Sequence, residues 1–333
     1  MKSLRRLATA LLAAATLAFS ASSLSAAPLK IAYSDWPGWV AWEVAIQKGF
    51  LKEAGVDAEF LWFEYGPSME AFTAGQVDAV MVTNGDALVT GANGAKNVII
   101  TLTDYSNGND MIVARPGIKS LKELKGKKIG LEVGFVTHLM LLNALKKAGM
   151  TESDLEIVNT PTNQTPQVLA SGQVDAIAAW QPNSGEALKA VAGSTAIYSS
   201  ADEPGLIYDT IAVSPQSLAQ NRAAWVKLVS VWDKTLAFIQ DPKTKDEALK
   251  IMAARTGSTP AEYAAFIGGT RFLTLAESAK IIADKSDGFK TLTGSSKASD
   301  AFNVANEVYG ESQDISSYID YTLTAEALAL SKK

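Results

Sequence analysis

Cysteine is absent from this 333-residue chain, and histidine occurs once, as His138. The first absence excludes a disulfide framework, a thiolate metal site and a cysteine nucleophile. One histidine is fewer than a His-based zinc centre requires. Basic excess is lacking too. There are 30 Lys and Arg against 35 Asp and Glu, for a net charge of −5. A nucleic-acid binder usually carries the opposite balance, so that class is set aside. Apart from the N-terminal segment there is no uninterrupted apolar stretch near the length that spans a bilayer. The sequence has no Gly-x-Ser-x-Gly elbow, no Walker loop and no Gly-x-Gly-x-x-Gly after a strand. Many acids are present, but no spacing singles out a glycosidase pair. What remains is ordinary globular composition, 47% hydrophobic and 20% charged. Disordered, collagen-like and coiled-coil classes are excluded, and the length suits two domains.

The N-terminus reads as an address. Lys2, Arg5 and Arg6 precede an apolar run over residues 7–19, and small residues follow to Ala27. This is the pattern of a secretory signal peptide cleaved near Ala26 or Ala27, so residues 1–27 are expected to be removed. No cysteine stands at that point to carry a lipid.

From Leu29 onward short apolar segments alternate with amphipathic ones. Strands are expected at 29–33, 58–63, 78–82, 98–103, 127–132, 155–159, 175–179 and 208–213, with helices between them, for example 40–54 and 135–148. This alternation predicts an α/β architecture with a largely parallel sheet. One string recurs. Gly75-Gln76-Val77-Asp78-Ala79 returns as Gly172-Gln173-Val174-Asp175-Ala176, each copy after a helical stretch and before an apolar strand. The glycine suits a helix C-terminus, and the equivalent contexts predict two similar lobes. Past Ser214 the pattern turns helical. Trp225, Leu228, Val229, Trp232, Leu236 and Ile239 fall on one helical face and are expected in the core.

Ligands of open α/β sheets sit beyond the carboxyl ends of the strands. The eight segments at those ends hold no lysine or arginine and nine carboxylates: Asp35, Glu64, Asp86, Asp104, Asp110, Glu132, Asp202, Glu203 and Asp209. About half of these are expected to be helix caps or solvated loop acids, Asp86 and Asp202 among them. The rest would oppose an anion and suit a cation or a neutral hydrogen-bonding solute. Trp36, Trp39 and Trp180 lie in turns bearing Pro or Gly, where a large apolar ring either packs under the loop or faces a flat ligand. Trp42 reads as core. His138 reads first as a hydrogen-bonded structural residue and second as a ligand contact.

Several segments resemble one family. They are the Gly66-Pro67-Ser68 turn, the two Gly-x-Val-Asp-Ala entries, the stretch at 118–128, Thr137-His138 and Trp180-Gln181-Pro182. Together they resemble the periplasmic solute-binding proteins of ABC importers in the nitrate, sulfonate, taurine and thiamine-pyrimidine group. The strings at 33–39, 83–86, 104–110 and 159–164 are similar to the branch associated with urea carboxylase genes. The resemblance implies a two-lobed type II periplasmic binding protein, with a cleft between the lobes and a helical C-terminal region. It places residues 28–112 and 214–333 in lobe 1 and 113–213 in lobe 2, with crossings near 110–114 and 208–213. It implies a periplasmic monomer without cofactor or metal and without enzymatic activity, which closes on a small molecule and delivers it to a membrane permease. Guanidinium is the favoured ligand, urea the next, and a sulfonate, taurine, nitrate or pyrimidine-type compound the alternative. The expected contacts are Asp35, Glu64, Asn84, Asp86, Asp110, Glu132, Thr137 and His138, with Trp36, Trp39 and Trp180 covering the ligand's face.

Overall fold

The computed structural model describes residues 27–333, so the expected signal peptide lies almost wholly outside the described residues. Among the described residues eleven strands form two sheets. In chain order they are β1 (Leu29–Tyr33), β2 (Ala58–Trp62), β3 (Ala79–Thr83), β4 (Val98–Ser106), β5 (Met111–Ala114), β6 (Lys128–Leu131), β7 (Glu156–Asn159), β8 (Ala176–Ala179), β9 (Thr195–Ser199), β10 (Tyr208–Val213) and β11 (Thr270–Phe272). The first sheet runs β11-β4-β10-β3-β1-β2 and the second β7-β6-β8-β5-β9. The class is α/β, but the sheets are mixed rather than largely parallel. β1, β2 and β3 pair in parallel, as do β6, β7 and β8. β10 lies antiparallel between β3 and β4, and β5 antiparallel between β8 and β9. The reason is the double crossing: a strand that arrives from the opposite sheet runs against its new neighbours.

The first crossing meets its expected place only at Asp110, and the second falls before its own. β10 belongs to the first sheet, not the second, and β5 is wholly in the second. The chain passes between sheets at residues 107–110 and 200–207. The two passages are tied together. Ser106 and Ser200 share a hydroxyl hydrogen bond of 2.6 Å, and the Gly108 amide donates to Ser200 Oγ at 2.7 Å.

The repeated string has the same role in both sheets. Gly75 and Gly172 have left-handed φ values of 68° and 78°, which a glycine adopts without a Cβ penalty. The Asp78 carboxylate accepts the Lys30 amide at 2.9 Å, and Asp175 accepts that of Lys128 at the same distance. Each aspartate thus pins the start of one parallel strand to another.

Helices cover both sheets, and among the described residues none is long and apolar enough to cross a membrane. The segment expected as one helix over 40–54 is three short ones, Pro37–Val40, Trp42–Gln47 and Phe50–Glu53. Trp225, Leu228, Val229, Trp232, Leu236 and Ile239 are all buried, as their spacing predicts. Trp232 stacks on Trp42 at 5.0 Å between ring centres and donates its indole N–H to the Leu273 carbonyl. This contact joins the C-terminal helices to the first sheet. Trp232→Ala is expected to lose about 3–5 kcal/mol, the usual cost of truncating a buried tryptophan, read from urea denaturation. A loss below about 1 kcal/mol would show that the stack anchors nothing.

Candidate functional site

The turn after β1 carries the first part of the site. Pro37 opens the helix Pro37–Val40, where a fixed φ and a missing N–H cost nothing. Gly38 follows because a Cβ there would overlap the Asp104 carboxyl. That close approach lets the Trp36 indole donate to Asp104 Oδ1 at 2.9 Å. Thr103 Oγ1 donates to Asp104 Oδ2 at 2.8 Å, so both oxygens of this buried carboxyl are engaged. Asp104 stands directly opposite Asp209 in the β4–β10 register.

Beside this pair, between the sheets, is a small cavity. Its walls include Trp36, Trp39, Tyr65 and Trp180 with the carboxyls of Asp110 and Asp209. The rings form a continuous lining. Trp36 and Trp39 meet edge to face at 6.4 Å, Trp39 stacks on Tyr65 at 5.5 Å, and Tyr65 meets Trp180 edge to face at 5.1 Å. The cavity volume is about 10 Å³, about the room one water needs. Asp110 and Asp209 are 2% and 1% exposed, and each has one carboxyl oxygen, Oδ2, without a hydrogen-bond partner. Trp39 Nε1 is likewise buried and unpartnered.

Outside the Tyr65–Trp180 contact lies a wider cleft of about 810 Å³ by the same measure. Asp35, Glu64, Glu70 and Glu132 line it together with Asn159, Asn163, Gln164 and Asn183, and no lysine or arginine does. Two contacts hold the lobes together across it. Asp35 accepts the Trp180 indole at 3.0 Å and the Asn183 amide at 2.9 Å. Asp86 accepts the Tyr65 hydroxyl at 2.7 Å and the Val136 amide of the other lobe at 3.2 Å.

Burial without a basic partner sets the electrostatics. Loss of water raises Asp35 to about 6, opposed by its Trp180 and Asn183 bonds. Burial likewise raises Asp86 and Asp110 to about 7 and Asp104 to about 6. Asp209 is driven well above the ordinary carboxylate range by burial and by the charge of Asp104. Glu132 is raised by burial, against the hydrogen bond it accepts from Thr162 at 2.9 Å.

The expected contacts divide accordingly. Trp36, Trp39, Asp110 and Trp180 wall the inner cavity, while Asp35, Glu64 and Glu132 line the outer cleft. Asp86 lies behind Tyr65 and lines neither. Asn84 is turned away: its amide donates to Ser295 and Ser296, and its carbonyl accepts the Tyr208 amide. Thr137 is fully buried and donates to the Glu132 carbonyl. His138 accepts the Gly134 amide, lies 3.5 Å from Glu152 and packs against Phe302, which is its structural reading. Asp202 closes a capping box with Ser199, and Glu203 faces Lys147. Sequence reasoning left out Tyr65 and Asp209 as contacts. Both stood in the loop segments, but only the β4–β10 register shows Asp209 beside Asp104. The described residues contain no set of three His, Asp or Glu side chains placed to hold a metal ion.

Residues 37–245, more than half of the chain, match the family model described as NMT1/THI5 like. A candidate binding protein of Brucella abortus (strain 2308) is 31% identical over 53% of this chain and 54% of its own length. A candidate aliphatic-sulfonate-binding protein of Escherichia coli K12 is 30% identical over 55% and 58%. The chain thus spans little more than half the length of the curated relatives it matches. The crystal structure of the periplasmic aliphatic sulphonate binding protein of Escherichia coli superposes with a TM-score of 0.74, at 19% identity, over 89% of this chain and 92% of that one. That likeness shows the fold, a periplasmic binding protein fold.

The raised carboxyls carry a sign for stability. A group protonated more readily when folded stabilises fully below its unfolded pKa and loses that contribution as pH rises through the folded value. For Asp110 the window runs from about 4 to about 7. Asp110→Asn is therefore expected to gain stability relative to the parent across that window, by at most ~1.4 kcal/mol per pH unit. Denaturant curves at pH 5 and pH 8 read the difference, and equal differences at both would show that Asp110 is not desolvated.

Proposed function

This chain belongs to the NMT1/THI5-like family, and from that premise we propose that it is the extracytoplasmic solute-binding component of an ABC importer. It closes on a small planar nitrogen compound, guanidinium first, and presents it to a membrane permease. The observation that carries the ligand reading is the inner cavity. Two buried carboxyl oxygens without partners, Asp110 Oδ2 and Asp209 Oδ2, share a cavity lined by four aromatic rings. A buried acceptor left unpaired is costly, and a ligand rich in N–H groups removes the cost. Flat cations also gain from the faces of tryptophan and tyrosine.

The candidate relative from Escherichia coli is named for aliphatic sulfonates. A sulfonate or nitrate here would meet carboxyls where an anion needs donors, and neither the cavity nor the outer cleft offers a lysine or arginine. Urea is the second reading, and one observation favours it. The unpartnered Trp39 Nε1 is a donor, which urea's carbonyl can accept and guanidinium cannot. The acids also serve binding better than hydrolysis. A carboxyl pair that works on a glycoside must flank a sugar ring, and Asp110 and Asp209 lie behind the aromatic wall with room beside them for about one water, so even a four-atom ligand enters only as the Tyr65–Trp180 contact opens.

In this reading Asp35 does not touch the ligand. Its bonds to Trp180 and Asn183 keep the aromatic wall closed over it. The best very small ligands gain about −1.5 kcal/mol per heavy atom, so four atoms give roughly −6 kcal/mol and a Kd of tens of micromolar.

Calorimetric titration with guanidinium, urea, taurine and nitrate at pH 8, well below denaturing concentrations, checks this. Guanidinium is expected to bind in the micromolar range, at least tenfold more weakly in Asp110→Asn, with taurine and nitrate silent. Binding of taurine or nitrate with guanidinium silent would overturn the ligand reading.

A further inference from the structure

The inner cavity has a charge problem that its ligand must solve. Asp104, Asp110 and Asp209 are all buried within it or against it. The other titratable groups that bear on them are also acidic: Asp86 on the helix Asn84–Ala92, Tyr65 on the helix Tyr65–Thr73, Asp35 after β1 and Tyr263 on the helix Pro260–Gly268. No lysine, arginine or histidine walls the cavity. Three ionised carboxylates cannot stand together without water or a counter-charge. Geometry says which is ionised. Asp104 accepts from Trp36 and Thr103 on its two oxygens, an arrangement suited to a carboxylate. Asp209, opposite it in the register, is driven well above the ordinary carboxylate range by burial and by the charge of Asp104. Asp110 has one bare buried oxygen, Oδ2, and its neighbour Ser106, which accepts its amide at 3.3 Å, only partly offsets the burial of the carboxyl.

We propose that the cationic ligand enters this site in exchange for a proton: Asp110 is protonated in the free protein and releases that proton to solvent as the cation takes its place. The inference rests on the cationic reading above. The exchange balances. One proton leaves for each monovalent cation bound, and the buried charge count stays the same. Burial of Asp110 supports it by holding the proton up to about pH 7. Asp110 also sits in the first passage between the sheets, where its carbonyl accepts the Ser200 amide from the second passage at 2.9 Å. The proton is therefore lost in one of the two passages that join the sheets. Urea, which is neutral, enters without exchange.

Titration of guanidinium at pH 6 in phosphate and in a buffer of high ionisation enthalpy tests the exchange. The expected result is a difference in heat equal to about one proton released per ligand at pH 6 and close to none at pH 8. Affinity is expected to fall about tenfold per pH unit below 7, with urea heats the same in both buffers. Guanidinium binding with equal heats in both buffers at pH 6 would overturn the exchange and leave the cationic reading standing. Guanidinium failing to bind at either pH would overturn both. A second measurement needs no ligand. Infrared difference spectra of the free protein at pH 6, parent minus Asp110→Asn, are expected to show the carbonyl stretch of a protonated carboxyl. Its absence would overturn the proposal whatever the titrations show.

Discussion

Taking a carboxylate out of water without giving it a cation is among the more expensive things a fold can do, and this structure does it several times at one place. Asp35, Asp86, Asp104, Asp110 and Asp209 are all buried or nearly so between the lobes, while ion pairs such as Lys48–Glu247 and Lys128–Glu156 lie out on the surface. The basic side chains are available elsewhere in the chain and are kept out of the cleft. A fold that tolerates this cost holds its acids by hydrogen bonds from indoles, hydroxyls and amides, and leaves two oxygens for something else to satisfy. Both the aromatic lining and the hydrogen bonds that join the lobes follow from it. Trp36 and Trp180 are positioned by the same carboxyls, Asp104 and Asp35, that their N–H groups satisfy.

How much of this could be read from the residues depended on range. β1 and β10 fall on their expected bounds, because alternation of apolar segments with turn residues is local information. The Gly-Gln-Val-Asp-Ala echo was legible for the same reason, and its two aspartates make equivalent bonds in the two sheets. β5, β9 and β11 were missed. They are short, and two of the three are edge strands whose pattern is too brief to separate from a loop. The acid-rich, base-free character of the strand ends was also legible, since composition needs no coordinates.

The arrangement of those acids was not. That Asp209 faces Asp104 depends on pairing between strands a hundred residues apart. Asn84 and His138 show the other limit. Both sit at helix starts beside the cleft, in segments buried on several sides, where spacing alone cannot tell the face that meets a ligand from the face that meets another helix. Their partners, Ser295 and Phe302, come from the far C-terminal region. The same long reach explains why β10 was placed with the wrong lobe: its neighbours in sequence lie in one sheet and its hydrogen-bond partners in the other.

The position of β10 also orders events in time. It sits in the middle of the first sheet, between β3 and β4, and is made only after every strand of the second sheet. As the chain leaves the ribosome the second lobe has all its strands while the first still has a gap at its centre. β1–β3 and β4 have no direct pairing with which to close that gap. A sheet that needs such distant contacts is slow to form, because the loop-closure entropy comes before any gain from pairing. The lobe that begins the chain is thus the last to be completed: its centre stays open until residue 213 is in place, and its edge strand β11 follows only at residues 270–272.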